Sequence, residues 1–253
     1  MHRTTSRVSF LPDFWFTHPL TSERMSEARL RANQLPPVPT SLRDEDFEIL
    51  KLYSLVVSHQ ATEQQLKAYA NRNHFAAQLA LAFFYSQQGD FVLAQQSIDQ
   101  AKSQNRLHNL LTLIQTDIYL GQNKIDLALK TIGSPARIMP ENRALNYKWA
   151  EVLIRKNQIT QAENILKDFL QKNPRDLSAW NLMQQAANVD RSSALRTVNV
   201  LRYRAEVQYW SGWEEEAIKS LLHAQRLAKD NQAMSANIKN RVTEMQRERQ
   251  LKI

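Results

Sequence analysis

The residues that could do chemistry in this chain do not form a recognisable catalytic or metal-binding arrangement. The sequence has no cysteine, and its six histidines are His2, His18, His59, His74, His108 and His223. None of the histidines precedes a glutamate, so the HExxH pattern is absent, and no two lie at the i, i+4 spacing that grips a metal on one helix. Neither a phosphate-binding glycine loop nor a G-x-S-x-G elbow is present. We therefore expect no catalytic residue, bound metal or cofactor in this chain.

One histidine lies in a short segment of unusual composition, Phe16-Thr17-His18-Pro19-Leu20-Thr21-Ser22-Glu23-Arg24. Taken locally, the segment is typical of a turn followed by a helix start, because a hydroxyl side chain after a proline can cap the first turn. A single histidine cannot hold Zn²⁺ tightly, since stable sites use three or four protein ligands.

The composition indicates that helices position these residues. The 253-residue chain has four glycines and eight prolines, and 43% of its residues are hydrophobic. Residues 1–41 form an irregular region that contains the proline-rich linker Leu35-Pro36-Pro37-Val38-Pro39-Thr40, with a helix predicted before it from Thr21 to Leu35. The remainder, residues 42–253, is predicted to be one helical domain.

A 34-residue period runs through this second region. It relates Ala82, Thr116 and Ala150, then Ala94, Ala128 and Ala162, and finally Pro140 and Pro174. Two helices and a turn in 34 residues are typical of the tetratricopeptide repeat, which this region resembles. Small residues fit where two helices cross closely, and proline cannot continue a helix. The fold class predicted is an all-α tetratricopeptide-repeat helical solenoid.

The predicted repeat units cover residues 75–108, 109–142 and 143–176, followed by irregular units at 177–231. In the irregular part, helices are predicted from Trp180 to about Ala187 and from Ser192 to Trp210, and Ala217 restores the small-residue position. Residues 232–251 are predicted to form a capping helix that buries Met234, Ile238, Val242 and Met245.

A second resemblance covers nearly the whole chain from about Leu11. The elements that carry it are Thr17-His18-Pro19-Leu20, Glu23-Arg24, Ala28-Arg29, Ala32-Asn33-Gln34, Leu120-Gly121-Gln122-Asn123-Lys124 and Gln246-Arg247-Glu248-Arg249. They resemble a family of bacterial periplasmic zinc metallopeptidases in which a tetratricopeptide domain follows the catalytic domain and which serves outer-membrane protein assembly.

The resemblance implies that His18 matches a regulatory histidine that approaches the zinc from outside the HExxH helix. The HExxH helix and the downstream glutamate ligand are absent here, so we interpret the chain as a truncated or separately encoded C-terminal part that is not itself an enzyme. No signal peptide is recognised, and by resemblance we expect a periplasmic location. The implied partners are the outer-membrane assembly machinery and unfolded β-barrel proteins, with no small-molecule substrate.

Repeats of this kind bind partners on the concave face, lined mainly by first helices. The corresponding positions here are Leu79, Phe83, Leu113, Asp117, Tyr147 and Glu151. This apolar and acidic set favours a peptide segment or a partner domain and does not favour a clamp for a C-terminal carboxylate. Leu79 and Phe83 are equally well explained as core residues.

The net charge of +8 leaves a different class of function open. A basic helical scaffold could bind nucleic acid or another anionic partner, and several basic residues follow position 190: Arg196, Arg202, Arg204, Lys219, Arg226 and Lys229. Aromatic residues for base stacking are few there, namely Tyr203, Tyr209, Trp210 and Trp213, so nucleic acid is the less favoured partner. No apolar run reaches the roughly 20 residues that span a membrane.

Overall fold

The computed structural model describes residues 21–36, 45–71, 75–104 and 108–250. Thirteen α-helices and no strand occur in these ranges. The helices are α1 Thr21–Asn33, α2 Glu45–Val57, α3 Glu63–Ala70, α4 Phe75–Gln88, α5 Phe91–Lys102, α6 Asn109–Gly121, α7 Ile125–Ile138, α8 Arg143–Arg155, α9 Ile159–Lys172, α10 Leu177–Val189, α11 Arg196–Trp210, α12 Glu214–Leu227 and α13 Gln232–Gln250. The predicted all-α helical-repeat solenoid is confirmed.

The chain divides into two units, Met1–Phe47 and Glu48–Ile253. In the first unit, α1 is exposed from Met25 onward, and an ion pair between Arg31 and Glu27 lies on its surface. Our expectations for residues 1–20, including the environment of His18, fall outside the described residues.

The helices of the second unit pack in the order of the chain. Each of α3 to α13 contacts the next, and first helices also contact first helices along the series α4, α6, α8 and α10. The apolar core runs through this stack as three successive clusters, one from Ile49 to Ile118, one from Leu120 to Tyr203 and one from Val198 to Met245. One hairpin cannot bury its apolar face alone, so neighbouring hairpins complete each other's core.

The small residues of the 34-residue period are all fully buried. Ala82, Thr116, Ala150, Ala94, Ala128 and Ala162 each have an exposed fraction of 0%, as does Ala217 of the irregular part. The Thr116 hydroxyl, which would otherwise be a buried unsatisfied donor, donates to the Thr112 carbonyl oxygen at 2.7 Å. These positions therefore have no room for a larger side chain.

Side-chain caps fix where the helices begin. Asp90, Asn142 and Asp176 each accept a hydrogen bond from a backbone N–H of the first turn of α5, α8 and α10 respectively. His108 does the same for α6 with its Nδ1 atom, so the first helices of three repeats begin 34 residues apart, after His108, Asn142 and Asp176.

Left-handed residues fix the turn between the two helices of each repeat. Gly89, Asn123 and Asn157 have φ values of +80°, +57° and +63° and lie 34 residues apart, and Gly212 repeats the conformation before α12 with a φ of +88°. Glycine and asparagine are the residues that tolerate this region best. The turn is thus conserved in shape from repeat to repeat although its residue changes.

Two predicted helix starts in the irregular region are wrong. The helix α10 begins at Leu177 and not at Trp180, because Asp176 caps it through the Ala179 N–H. The helix α11 begins at Arg196 and not at Ser192, because Asp190 accepts hydrogen bonds from the Ser192 N–H and hydroxyl and so holds a turn there.

The prolines of the period lie beyond the helix ends. The helix α7 ends at Ile138 and α9 at Lys172, two residues before Pro140 and Pro174. A further proline, Pro135, lies inside α7. The final helix α13 packs on α12 and buries Ile238, Val242 and Met245, with Met234 partly buried against the same cluster.

Candidate protein-binding face on the first helices

The six residues predicted to bind a partner lie on neighbouring first helices. Leu79 and Phe83 belong to α4, Leu113 and Asp117 to α6, and Tyr147 and Glu151 to α8, which makes two rows with a spacing of 34 residues. Because these three helices contact one another in turn, the rows form a continuous surface. We call this surface the first-helix face.

Leu79 does not belong to the accessible part of the first-helix face. Its exposed fraction is 1%, and it lies in the core cluster with the small residues of α4. This burial favours the alternative interpretation of Leu79 as a core residue, and we do not include it in the accessible surface. Phe83 and Leu113 are half-buried and keep part of their apolar surface in contact with solvent.

At one end of the face, α2 adds an aromatic residue that the sequence analysis did not select. The ring of Tyr53 lies 4.5 Å from the ring of Phe83 between centroids, at an interplanar angle of 32°. Beside this pair is a pocket of about 330 Å³ lined by Val56, Ala61, Phe83 and Phe84 among others. This end therefore offers an apolar shelf with a cavity for a side chain.

The middle of the face carries an ion cluster. The Lys148 ammonium lies 2.6 Å from Asp117 Oδ1 and 2.7 Å from Glu151 Oε2, and Arg155 lies 3.5 Å from Glu151 Oε1. Burial raises the pKa of the Asp117 carboxyl in spite of the nearby Lys148. Burial by itself would lower the pKa of Lys148, but Asp117 and Glu151 together raise it.

Lys148 changes the expected character of the face. The sequence indicates an acidic character at Asp117 and Glu151, yet both carboxylates are paired with this one ammonium group. The i, i+3 spacing of Lys148 and Glu151 was a usable signal in the sequence. The contact with Asp117 crosses two repeats, and spacing within a single helix could not show it.

At the other end of the face, Tyr147 is tied to the next repeat. Its hydroxyl donates to Asp176 Oδ2 at 2.7 Å, and its ring meets Phe169 edge-on at 5.1 Å between centroids. Burial, together with the bond to Asp176, raises the pKa of Tyr147 to about 12. The hydroxyl is therefore occupied in holding two repeats together, and the half-buried side chain keeps part of its surface in contact with solvent.

Asp176 joins two helices, α8 and α10, at this point. It accepts from Arg143, Tyr147 and the Ala179 N–H, and its side chain is 3% exposed. Burial acts to raise the pKa of Asp176, but the hydrogen bonds and the Arg143 charge outweigh it and hold the pKa below its ordinary value. This ionised carboxylate caps α10 and links it to α8.

The residues of the described ranges do not fit a zinc site. No group of three or more His, Asp or Glu side chains in these ranges is placed to hold a metal ion, and the sequence has no cysteine. No chemical step through zinc can therefore be derived from them. None of the helices described is long and apolar enough to cross a membrane.

The basic residues after position 190 do not form a base-stacking surface with the aromatic residues near them. Tyr203 and Tyr209 are 9% and 3% exposed, and the Trp210 ring lies 5.2 Å from the Arg175 guanidinium and 5.9 Å from that of Arg241. Only Trp213, 63% exposed, presents a ring to solvent among the four aromatic residues considered. Stacking of successive bases requires several open rings, so this arrangement does not favour nucleic acid.

Comparison with known proteins gives relatives over nearly the full length. No protein-family model matches the chain. A protein named β-barrel assembly-enhancing protease from Escherichia coli (strain K12) is 28% identical over 242 residues, which are 92% of this chain and 48% of that protein. A protein of the same name from Yersinia pestis is 27% identical over 251 residues, 95% of this chain and 50% of that protein. The chain thus spans about half the length of these relatives.

The alignment with these relatives and the fold of the chain support the same conclusion. The aligned region is almost the whole chain, and the described part of it is all-helical and built from repeats. The chain is therefore a homologue of proteins named β-barrel assembly-enhancing protease, and its fold is consistent with a tetratricopeptide-type part of such a protein.

Proposed function

We propose that this chain is a protein-interaction module that acts in the assembly of outer-membrane β-barrel proteins. The observation that carries the proposal is the likeness of 92% of the chain to proteins whose name refers to β-barrel assembly. A stack of helical hairpins supports it, because such stacks present extended surfaces to other proteins. The partners we propose are the assembly machinery and unfolded β-barrel proteins, met in the periplasm.

We place the interaction on the first-helix face. Its accessible apolar surface comes from Tyr53, Phe83, Leu113 and the ring of Tyr147, and its charges are concentrated at Lys148 between two carboxylates. An apolar surface with a few fixed polar groups suits a peptide segment or a folded partner, with rings as the anchors. The pocket beside Phe83 is wide enough to receive one side chain of such a partner.

We also propose that the chain has no proteolytic activity of its own. The name of the relatives includes a protease, but this chain spans about half of them and has no HExxH sequence. A zinc metallopeptidase needs at least three protein ligands and an activated water.

The test is a binding comparison with a matched control. The double variant Phe83→Ser and Leu113→Ser removes apolar surface from the first-helix face, and the control Val92→Ser and Leu127→Ser removes exposed apolar side chains of the second helices α5 and α7. We expect the first variant to lose co-purification with the outer-membrane assembly machinery while the control keeps it. Equal co-purification by both folded variants would place the interaction elsewhere. Failure of the parent chain to co-purify would refute the proposed function.

A further inference from the structure

A groove of the second unit lies far along the chain from the first-helix face. It has a volume of about 490 Å³ and is lined by residues of α10, α11, α12 and α13. Its polar and aromatic lining includes Trp180, Arg202, Glu206, Asn237, Asn240 and Arg241. We call it the C-terminal groove. Arg202 and Tyr203 of this groove are among the basic and aromatic residues considered above for an anionic partner, and the proposed function does not use the groove.

The base of the groove is an internally neutral ion pair. Arg241 donates from Nε and Nη2 to the two carboxylate oxygens of Glu206 at 2.7 and 2.8 Å, and Glu206 is 8% exposed. This bidentate geometry is the strongest that an arginine and a carboxylate can form. Arg241 also donates to Glu244 at 3.1 Å. Arg241 thus pairs with two carboxylates, so these three groups together carry one net negative charge, and the positive charge available to a ligand is that of Arg202.

Arg202, on one wall, is different. Its Nη1 donates to the neutral Asn199 side chain at 3.2 Å, and its guanidinium lies 5.9 Å from the centroid of the Tyr203 ring. In the described part of the chain no carboxylate lies within ion-pair distance of Arg202. A guanidinium presents its N–H groups as a planar fork, which matches the two oxygens of a carboxylate.

The remaining walls suit a polypeptide. The Trp180 ring is fixed by a hydrogen bond from Nε1 to the Pro174 carbonyl oxygen at 2.8 Å and by a contact of 5.9 Å with the Tyr203 ring. On the facing helix α13, Asn237 and Asn240 present exposed carboxamides that the described residues do not engage. A carboxamide can both donate to and accept from a peptide group.

The length of the groove fits an extended segment. Its lining residues on α13 run from Ala233 to Glu244, which is about 16 Å at the helical rise of about 1.5 Å per residue. An extended chain covers this distance with about five residues at about 3.3 Å each. A groove that runs along a helix over this distance can therefore hold an extended segment of a partner polypeptide.

We infer that the C-terminal groove binds an extended polypeptide segment that carries an Asp or Glu side chain. The carboxylate pairs with Arg202, the backbone bonds to Asn237 and Asn240, and an apolar side chain of the segment packs against Trp180. The net charge of +8 on the chain favours approach by an acidic segment. The inference does not depend on the first-helix face or on the proposed function.

The experiment uses purified full chain and short fluorescent peptides whose two ends are blocked. One peptide has a central Asp flanked by Phe and Thr residues, and the second replaces that Asp with Asn. Binding is measured by fluorescence anisotropy. We expect the acidic peptide to bind about tenfold more tightly than its neutral counterpart, the difference that one charge-assisted hydrogen bond supplies.

Two variants locate the effect. Arg202→Gln removes the charge from the groove, and Arg204→Gln removes an exposed charge of the same helix outside it. We expect the preference for the acidic peptide to vanish in the first and to persist in the second. The variant Asn240→Leu leaves every charge in place, so it should weaken the binding of both peptides to the same extent.

The inference is wrong if the acidic peptide fails to bind the parent chain at about 1 mM. It is also wrong if the two peptides bind equally, or if the folded Arg202→Gln variant keeps the preference. Because peptide binding is read on the isolated chain, a negative result here leaves the co-purification test of the first-helix face unaffected.

Discussion

Lys148 of α8 lies 2.6 Å from Asp117 of α6, so an ion pair joins the first helices of two successive repeats at the centre of the first-helix face. The same ammonium group is 2.7 Å from Glu151 of its own helix. The three side chains are between 21% and 31% exposed, which places them between a surface pair and a buried one. The cluster therefore both stabilises the contact between two repeats and determines the charge at the centre of the first-helix face.

Replacing Lys148 with methionine should destabilise the chain. The change leaves Asp117 and Glu151 close together without a counter-charge, and we expect a loss of about 1–3 kcal/mol, less than for a fully buried pair. The control is Lys167→Met, which removes an exposed i, i+4 pair with Glu163 and should cost about 0.5 kcal/mol or less. Urea unfolding measures both, and equal costs would show that the cluster contributes no more than a surface pair.

The contribution of Asp176 should depend on pH. Its pKa in the folded chain is below the ordinary value of 3.8, so its stabilisation is complete above about that pH and is lost as the pH falls through the folded-state pKa. The variant Asp176→Asn keeps an oxygen that can cap α10 but has no charge. We expect this variant to be less stable than the parent at neutral pH.

The two unfolding free energies should then converge as the pH falls below 3.8. Denaturant unfolding at a series of pH values gives both curves. A difference that stays constant down to the acid limit of folding would mean that Asp176 acts only as a cap and not as a charge.

The buried alanines should not accept a long charged side chain. Ala128 is 0% exposed, whereas its neighbour Leu127 is 45% exposed on the same helix. Ala128→Arg combines overpacking, about 1–3 kcal/mol, with the burial of an unpaired charge. We expect it to lower the melting temperature strongly, with Leu127→Arg near the parent value. A parent-like melting curve for Ala128→Arg would mean that the helix pairing around α7 is different.

The chain should show no zinc-dependent proteolysis. The purified protein, incubated with casein in the presence of Zn²⁺, should leave the substrate intact, and a chelator should make no difference. The matched comparison is a sample of a known zinc endopeptidase treated in parallel. Cleavage that the chelator abolishes would refute the proposal that this chain is not itself an enzyme.

The repeat and its packing positions could be predicted from the sequence for a physical reason. A close helix crossing admits only small side chains, so Ala82, Ala94 and their equivalents recur at fixed steps that the sequence displays directly. The turns were only partly visible, because Asn123 and Asn157 take the left-handed conformation of Gly89 without being glycine. Counting 34 and 68 residues on from Gly89 leads to Asn123 and Asn157, so the period itself marks these turn positions.

The candidate face was harder to predict because its character depends on contacts between repeats. The pairing of Lys148 with Asp117 and the stacking of Tyr53 on Phe83 each join different hairpins. The burial of Leu79 follows from how α4 packs among its neighbours, and an apolar residue on a helix does not show by itself whether it faces the core. The start of α11 was missed since the side chain of Asp190 holds a turn that helix propensity does not register.

Site-specific photo-crosslinking shows whether the first-helix face contacts proteins of β-barrel assembly. A photoreactive phenylalanine analogue is placed at Phe83 on the first-helix face, and in a matched protein at Val92, an exposed apolar position on the second helix α5. Both proteins are irradiated in the periplasm of cells that assemble outer-membrane β-barrels. If the first-helix face binds these partners, we expect crosslinks from position 83 to the assembly machinery or to an unfolded β-barrel protein, with few from position 92. Crosslinks from position 92 alone, or from neither position, would contradict it.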